Sequence, residues 1–135
     1  MTAAADPLTR LVVDEAAVDR ELLASLLEDK IRLDLTQGSF TFQQGVRGQL
    51  SNRQQVLVAL LAQKALHLLA DHYSEALLPR EIEALTGVKP GTLRPILKQL
   101  ADRRIIRQND ARAYYVAGYA LEEAIQLLDV SGGRP

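Results

Sequence analysis

The stretch that follows Ser51 constrains the fold of this chain more than any other part of the sequence. "SNRQ" has the S-x-x-Q form of a capping box, in which two side chains satisfy backbone N–H groups at the start of a helix. From about Asn52 to Asp71, apolar residues recur at helical spacing: Val56, Leu57, Leu60, Leu61, Ala65, Leu68 and Leu69. The apolar stripe is broad, which predicts a long central helix that belongs to the core.

The residues before this helix predict a shorter helix and a β-hairpin. From Asp14 to about Asp29, leucines recur at helical spacing, and Asp14 is the predicted N-cap. Alternating apolar residues then flank "TQGS", which has turn chemistry. Two alternatives are open for the apolar residues of this extension: they pack on the long helix of their own chain, or they pair two copies. The residues concerned are Leu22, Leu23, Leu26, Leu27, Phe40 and Phe42.

Length and composition indicate a folded protein without disulfides. The chain has 135 residues and no cysteine, which excludes disulfide bonds, thiolate metal sites and a cysteine nucleophile. No apolar run approaches the roughly 20 residues that span a bilayer. The start of the chain lacks the charged and then apolar pattern of a secretory signal. We therefore expect a cytoplasmic protein that does not enter a membrane.

The C-terminal half predicts short helices around a second hairpin. "PREIEALTG" predicts a helix over 79–87, which starts at a proline and ends at a glycine. A second short helix follows at about 91–103, and "RIIRQ" and "AYYV" predict two strands around an "NDAR" turn. A last helix is expected over Tyr119–Asp129, before a frayed tail at 131–135. The predicted fold class is mainly α with small β-hairpins.

Charge is distributed unevenly along a chain whose net charge is only −1. Residues 1–30 carry a net charge of −4. Residues 89–112 carry a net charge of +5, with seven basic residues: Lys89, Arg94, Lys98, Arg103, Arg104, Arg107 and Arg112. A local basic segment in an otherwise acidic chain indicates a polyanionic partner such as nucleic acid.

Two short helices joined by a tight turn indicate a helix-turn-helix. The segment "EIEALTGVKPGTLRPILKQLADRRIIRQNDARAYYV" resembles the winged helix-turn-helix domain of many bacterial and archaeal transcription regulators, and the resemblance covers about residues 52–129. It implies that 91–103 is the recognition helix and that 104–116 is the wing. The expected domains are a helix-and-hairpin extension at 1–50, a winged helix-turn-helix domain at 51–130 and the tail.

The predicted recognition helix turns one face inward and the other outward. An i, i+3, i+4, i+7 set of apolar residues faces the core: Leu93, Ile96, Leu97 and Leu100. The opposite face and the wing hold the candidate DNA-binding residues, which are Lys89, Thr92, Arg94, Pro95, Lys98, Gln99, Arg107 and Arg112. A major groove admits one helix, so Arg94 is expected to read guanine, and Lys98 to contact phosphate. Pro95 is expected within the first turn, where a proline costs little.

The functional expectation is sequence-specific binding of duplex DNA by a homodimer, as a nucleoid-associated transcription regulator. Two alternatives stay open: a winged-helix adaptor that binds protein, and a DNA-binding protein of plasmid or phage replication or segregation. His67 and His72 are five residues apart and do not share a helix face as i, i+4 metal ligands would. No nucleophile is paired with a base and no glycine-rich loop cradles phosphate. We therefore expect neither an enzyme nor a metal or cofactor; an effector ligand is left open.

Overall fold

The computed structural model describes residues 6–11 and 19–133, with the backbone alone at residues 9, 10 and 129–133. Its α-helices are α1 (Arg20–Leu27), α2 (Asn52–Leu69), α3 (Pro79–Thr86), α4 (Pro90–Asp102) and α5 (Leu121–Gly133). Its strands are β1 (Ile31–Asp34), β2 (Ser39–Phe42), β3 (Ile106–Gln108) and β4 (Tyr114–Val116). Short 3₁₀ helices span Pro7–Leu11, Arg47–Gln49 and Gly118–Ala120. The predicted class, mainly helical with two small antiparallel hairpins, is confirmed.

Helix α2 is the centre of the core, as its sequence predicts. Ser51 Oγ accepts from the Gln54 backbone at 3.2 Å, and Gln54 Oε1 accepts from the Ser51 N–H at 2.8 Å, so the capping box forms. Every residue from Val56 to Ala62 is fully buried. The Gln54 amide also donates to the Leu127 carbonyl at 3.0 Å, which fixes α5 against the start of α2. A single buried apolar cluster holds residues from all five helices and both hairpins.

The N-terminal extension packs on α2 of its own chain. Leu23, Leu26 and Leu27 of α1 are buried in the common core, and Leu22 is partly buried against it. The hairpin adds buried and partly buried side chains of its own: Ile31, Leu33, Phe40 and Phe42. Of the two alternatives for these apolar residues, the structure therefore shows packing within the chain.

Helix α1 begins later than the sequence analysis predicts. Its N-cap is Asp19, whose side chain accepts from the Leu22 N–H at 3.0 Å. The extended backbone of Asp19, with a ψ of 98°, interrupts the helical pattern at this point. The predicted cap, Asp14, lies outside the described residues.

Helix α4 also begins at a different residue from the one predicted. Its N-cap is Lys89 and its first residue is Pro90, because the fixed φ of proline suits a first position and the missing N–H costs nothing there. Pro95 is consequently the sixth residue of the helix, and the prediction that it lies in the first turn is wrong. It has no N–H to donate to the carbonyl of Gly91, four residues back.

The second hairpin is extended by one residue from elsewhere in the chain. Strands β3 and β4 pair in an antiparallel register that joins Ile106 to Val116 and Gln108 to Tyr114. On the other side of β4, Leu77 and Tyr114 exchange two backbone hydrogen bonds, of 2.8 and 2.7 Å. The hairpin is thereby attached to the segment that leads into α3.

Residues 73–77, which we call the strap, cross the molecule between α2 and α3. At one end, the Tyr73 hydroxyl donates to the Leu35 carbonyl in the turn of the first hairpin. Three side chains of α2 contact the strap. His67 Nδ1 lies 2.7 Å from the backbone carbonyl oxygen of Tyr73, and the Gln63 amide donates to the Ser74 carbonyl. The Lys64 ammonium forms an ion pair of 2.8 Å with the Glu75 carboxylate. At the other end, Leu77 pairs with β4. The strap therefore joins both hairpins to α2.

Candidate nucleic-acid interface

The outer face of α4 carries the polar residues that the sequence predicts. Leu93, Ile96, Leu97 and Leu100 are buried, which fixes the rotation of the helix about its axis. The exposed residues of the helix and its cap include Lys89, Thr92, Arg94, Pro95, Lys98 and Gln99. The structure therefore gathers six of the eight predicted site residues on or next to one exposed helix face.

The turn that holds α4 against α3 is short and well bonded. Gly87 ends α3 with a φ of 79°, in the left-handed region that glycine adopts without strain, and its N–H donates to the Glu83 carbonyl at 2.7 Å. The buried Thr86 hydroxyl accepts from the Val88 N–H at 3.1 Å, and Val88 itself is buried. Three residues, 87–89, thus connect the two helices in a fixed way, which is the connection that a helix-turn-helix requires.

A groove of about 640 Å³ runs between the start of α3 and the outer face of α4. Arg94 and Lys98 line it from α4, Arg80 lines it from α3, and Tyr114 closes it on the side of the hairpin. Arg80 is not among the residues predicted from the sequence, because it lies outside the basic segment 89–112. Its only signal was an exposed position directly after the proline that starts α3. The groove therefore adds a third basic side chain to the predicted pair.

Acidic residues moderate the charge of this groove. Asp102 lies one turn after Lys98, and their side chains form an exposed i, i+4 ion pair of 3.3 Å. Glu83 lines the groove from α3. An exposed ion pair of this type contributes little energy, so a phosphate can compete with Asp102 for Lys98.

The turn between β3 and β4 presents Arg112 in a defined backbone conformation. The Asn109 side chain accepts from the N–H groups of Ala111 and Ala113 at 2.9 and 3.0 Å, and Gln108 donates to the Arg112 carbonyl at 3.0 Å. Arg112 has a φ of 67°, a conformation that few residues other than glycine adopt. The exposed Arg112 thus lies in a hairpin turn that these three hydrogen bonds stabilise.

Arg107 does not share the groove of Arg94 and Lys98. It borders a separate cleft of about 360 Å³ that Arg104 and the exposed Tyr119 also line. Arg107 pairs with Tyr115 across the hairpin, so its side chain lies on the face opposite Tyr114. The eight predicted residues therefore divide between the α4 face, the hairpin tip and this second cleft.

Arg103 and the two histidines make contacts that stabilise the fold. Arg103 forms a 3.0 Å ion pair with Glu123 of α5. His67 contacts the strap, and the ring of His72 lies 4.0 Å from that of Tyr73. In the described parts of the chain, no three metal-ligating side chains come together. None of the helices in those parts is long and apolar enough to cross a membrane.

Comparisons with protein-family models, with curated proteins and with solved structures found no match to this chain.

Proposed function

We propose that this chain is a winged helix-turn-helix protein that binds duplex DNA and regulates transcription as a homodimer. The observation that carries the proposal is the pairing of Leu77 with Tyr114, because this single-residue bridge joins the segment between the long helix and the next two helices to the hairpin that follows them. In this order α4 corresponds to the recognition helix and the hairpin to the wing. The proposed location is the cytoplasm, on the nucleoid.

In the proposed mechanism, some residues position the protein on the duplex and others recognise its bases. Arg80, Lys89 and Lys98 contact phosphates on the two sides of the groove, which sets the register of the protein on the duplex. Arg94, in the N-terminal half of α4, reaches the base edges of the major groove, where an arginine recognises guanine by two hydrogen bonds. Arg112 at the hairpin tip contacts the flanking minor groove or backbone. Each of these five residues is exposed.

The test is the salt dependence of binding, measured by fluorescence anisotropy on random-sequence and selected duplexes. If Arg80, Lys89, Lys98 and Arg112 each count as one phosphate contact, one copy predicts a slope of about −4 for log affinity against log salt, and a dimer predicts about −7. Arg94→Ala should reduce discrimination at one base pair by about 1–3 kcal/mol, whereas Lys98→Ala should weaken all duplexes and lower the slope by about one. The matched control is Arg32→Ala, which removes an exposed cation of β1. A flat salt response would overturn the proposal.

The Lys98–Asp102 ion pair supports one second candidate, an adaptor that binds protein rather than DNA. This pair and Glu83 place acidic groups beside the basic ones, as suits a polar protein surface. Asp102→Asn distinguishes the two functions. It should raise affinity for duplex DNA severalfold under the first proposal, because Lys98 is released and a repelling charge is removed. An adaptor would show no shift of random duplex at low salt with either protein.

A further inference from the structure

An apolar groove lies on the N-terminal side of the molecule, away from the elements assigned to DNA. Its walls are α1, β1 and the C-terminal end of α2, and its volume is about 260 Å³. The apolar residues that line it are Leu23, Ala24, Leu27, Ile31, Leu33, Ala65, Leu68 and Leu69. Arg20 of α1 and Glu28, the C-cap of that helix, complete the lining with two charged side chains. Arg20 donates to the Leu68 carbonyl at 3.1 Å, so the two helical walls are joined at this end.

The groove is open to solvent although its lining is apolar. Leu69 is 57% exposed at its rim, and Leu33 and Leu68 are only partly buried. Apolar side chains of the groove are therefore partly in contact with water. The cavity is too small for a whole partner helix and comparable in bulk to one or two aliphatic side chains.

The chain has a second exposed apolar feature, a pair of leucines near its start, whose side chains are of a size that fits the groove. The 3₁₀ helix Pro7–Leu11 carries Leu8 and Leu11, which lie three residues apart and so project from the same side. They are 66% and 76% exposed, the largest exposures among the large apolar side chains of the described residues. The Leu8 N–H donates to the Asp6 side chain at 2.9 Å, which caps this short helix. The chain therefore presents two leucines in a locally ordered segment.

We propose that Pro7–Leu11 of one copy docks into the α1–β1–α2 groove of a second copy, and that the exchange is reciprocal. A reciprocal exchange closes a two-fold dimer and buries four leucines, two from each copy. Seven residues, 12–18, separate the segment from Asp19, and any seven residues cover at most about 25 Å. In the structure of the single chain Leu8 and Leu11 remain exposed, so they do not occupy the groove of their own chain. The inference rests on the proposed function, because a two-fold dimer matches the two-fold symmetry of paired DNA half-sites.

The test is sedimentation equilibrium of the full chain without DNA, over a wide concentration range. The wild-type chain should dimerise. Leu8→Ser/Leu11→Ser and Leu69→Ser should each weaken the dimer, the first by about ten-thousandfold or more because a dimer of this variant loses four buried leucines and each contributes roughly tenfold or more. The control is Leu35→Ser, which removes a leucine that is 46% exposed and lies outside the groove lining. Circular dichroism checks that each variant is folded.

Mixing the two deficient chains separates exchange from any other mode of pairing. A chain with a defective segment still has an intact groove, and a chain with Leu69→Ser still has an intact segment. Their mixture should form a heterodimer through one intact contact, tighter than either variant alone. A monomeric wild type, a dimer that survives the segment variant, or equal weakening by Leu35→Ser would each overturn the inference. The inference would also be overturned if the segment variant lost dimerisation while Leu69→Ser kept it, because the segment would then bind outside the groove.

The two proposals can fail separately. DNA binding is measured on a duplex that holds a single half-site, to which a monomer binds. If the segment variant is monomeric and keeps the single-site affinity of the wild type, both proposals stand. If neither the wild type nor the segment variant binds DNA, but the sedimentation results are as predicted, the exchange stands and the DNA-binding function is refuted.

Discussion

Pro95 offers the sharpest test of the energetics of α4. The substitution Pro95→Ala restores an N–H at the sixth residue of the helix, where it can donate to the Gly91 carbonyl. It also removes the ring that crowds this carbonyl. Gly91 and Pro95 both lie on the exposed face of the helix, so an alanine at position 95 creates no cavity and breaks no packing. The substitution therefore isolates the cost of the proline itself.

The magnitude follows from three contributions. A proline in a helix interior costs about 3 kcal/mol relative to alanine. The exposed Gly91 carbonyl can accept from water instead, which recovers part of this cost. The proline also stiffens the unfolded chain, so its removal costs about 0.4–1 kcal/mol of stability. The net expectation is that Pro95→Ala stabilises the fold by about 1–2 kcal/mol, or roughly 3–7 °C in Tm for a chain of this size.

The assay is thermal unfolding by circular dichroism, together with urea unfolding at constant m-value. Gln99→Ala is the matched control, because Gln99 is exposed on the same helix one turn later and its change should leave stability within about 0.5 kcal/mol. If Pro95→Ala proves no more stable than the wild type, the reasoning about the helix start is wrong. If stability rises while DNA affinity falls, the proline is retained for the shape of the surface.

Three further substitutions test other positions. Arg104 directly follows Arg103, the C-cap of α4, and has a φ of 63°, where glycine is favoured, so Arg104→Gly should raise the unfolding free energy by about 1 kcal/mol in urea. Gly38 has a φ of 67° and a Cβ there would collide with the Tyr73 ring, so Gly38→Ala should cost about 2 kcal/mol or more in the same measurement. Glu75→Gln leaves the buried Lys64 ammonium without its charged partner and should lower stability by about 1–3 kcal/mol, less than for a fully buried pair because Glu75 is partly exposed. A Glu75→Gln protein as stable as the wild type would show that the pair contributes nothing.

The sequence predicted those elements whose signals are local and periodic. The capping box at Ser51 and the alternation around "TQGS" and "NDAR" depend on neighbouring residues, and the structure has each element where it was expected. The starts of α1 and α4 were displaced because a competing residue, Asp19 or Pro90, also suits a helix start. These errors concern only a few residues at helix ends.

The candidate site was predictable only in part, since some of its features depend on distant contacts. The apolar residues of α4 recur at helical spacing and so indicate which face of the helix is exposed. Arg94 and Lys98 could therefore be placed on that face from the sequence alone. Arg80 joins them only because α3 packs beside α4, and no periodicity reports that contact. The pairing of Leu77 with β4 involves one residue, which is too short for a strand pattern. The side of the hairpin on which Arg107 lies likewise depends on the register.

The strap has a consequence for how this protein can change over evolutionary time. Its five residues contact the first hairpin through Tyr73, α2 through Glu75, and the second hairpin through Leu77. A recombination that replaced the N-terminal extension would leave Tyr73 without the turn that receives its hydroxyl and would uncover one side of α2. The two halves of the chain are therefore expected to be inherited together, as one indivisible unit, rather than shuffled as separate modules.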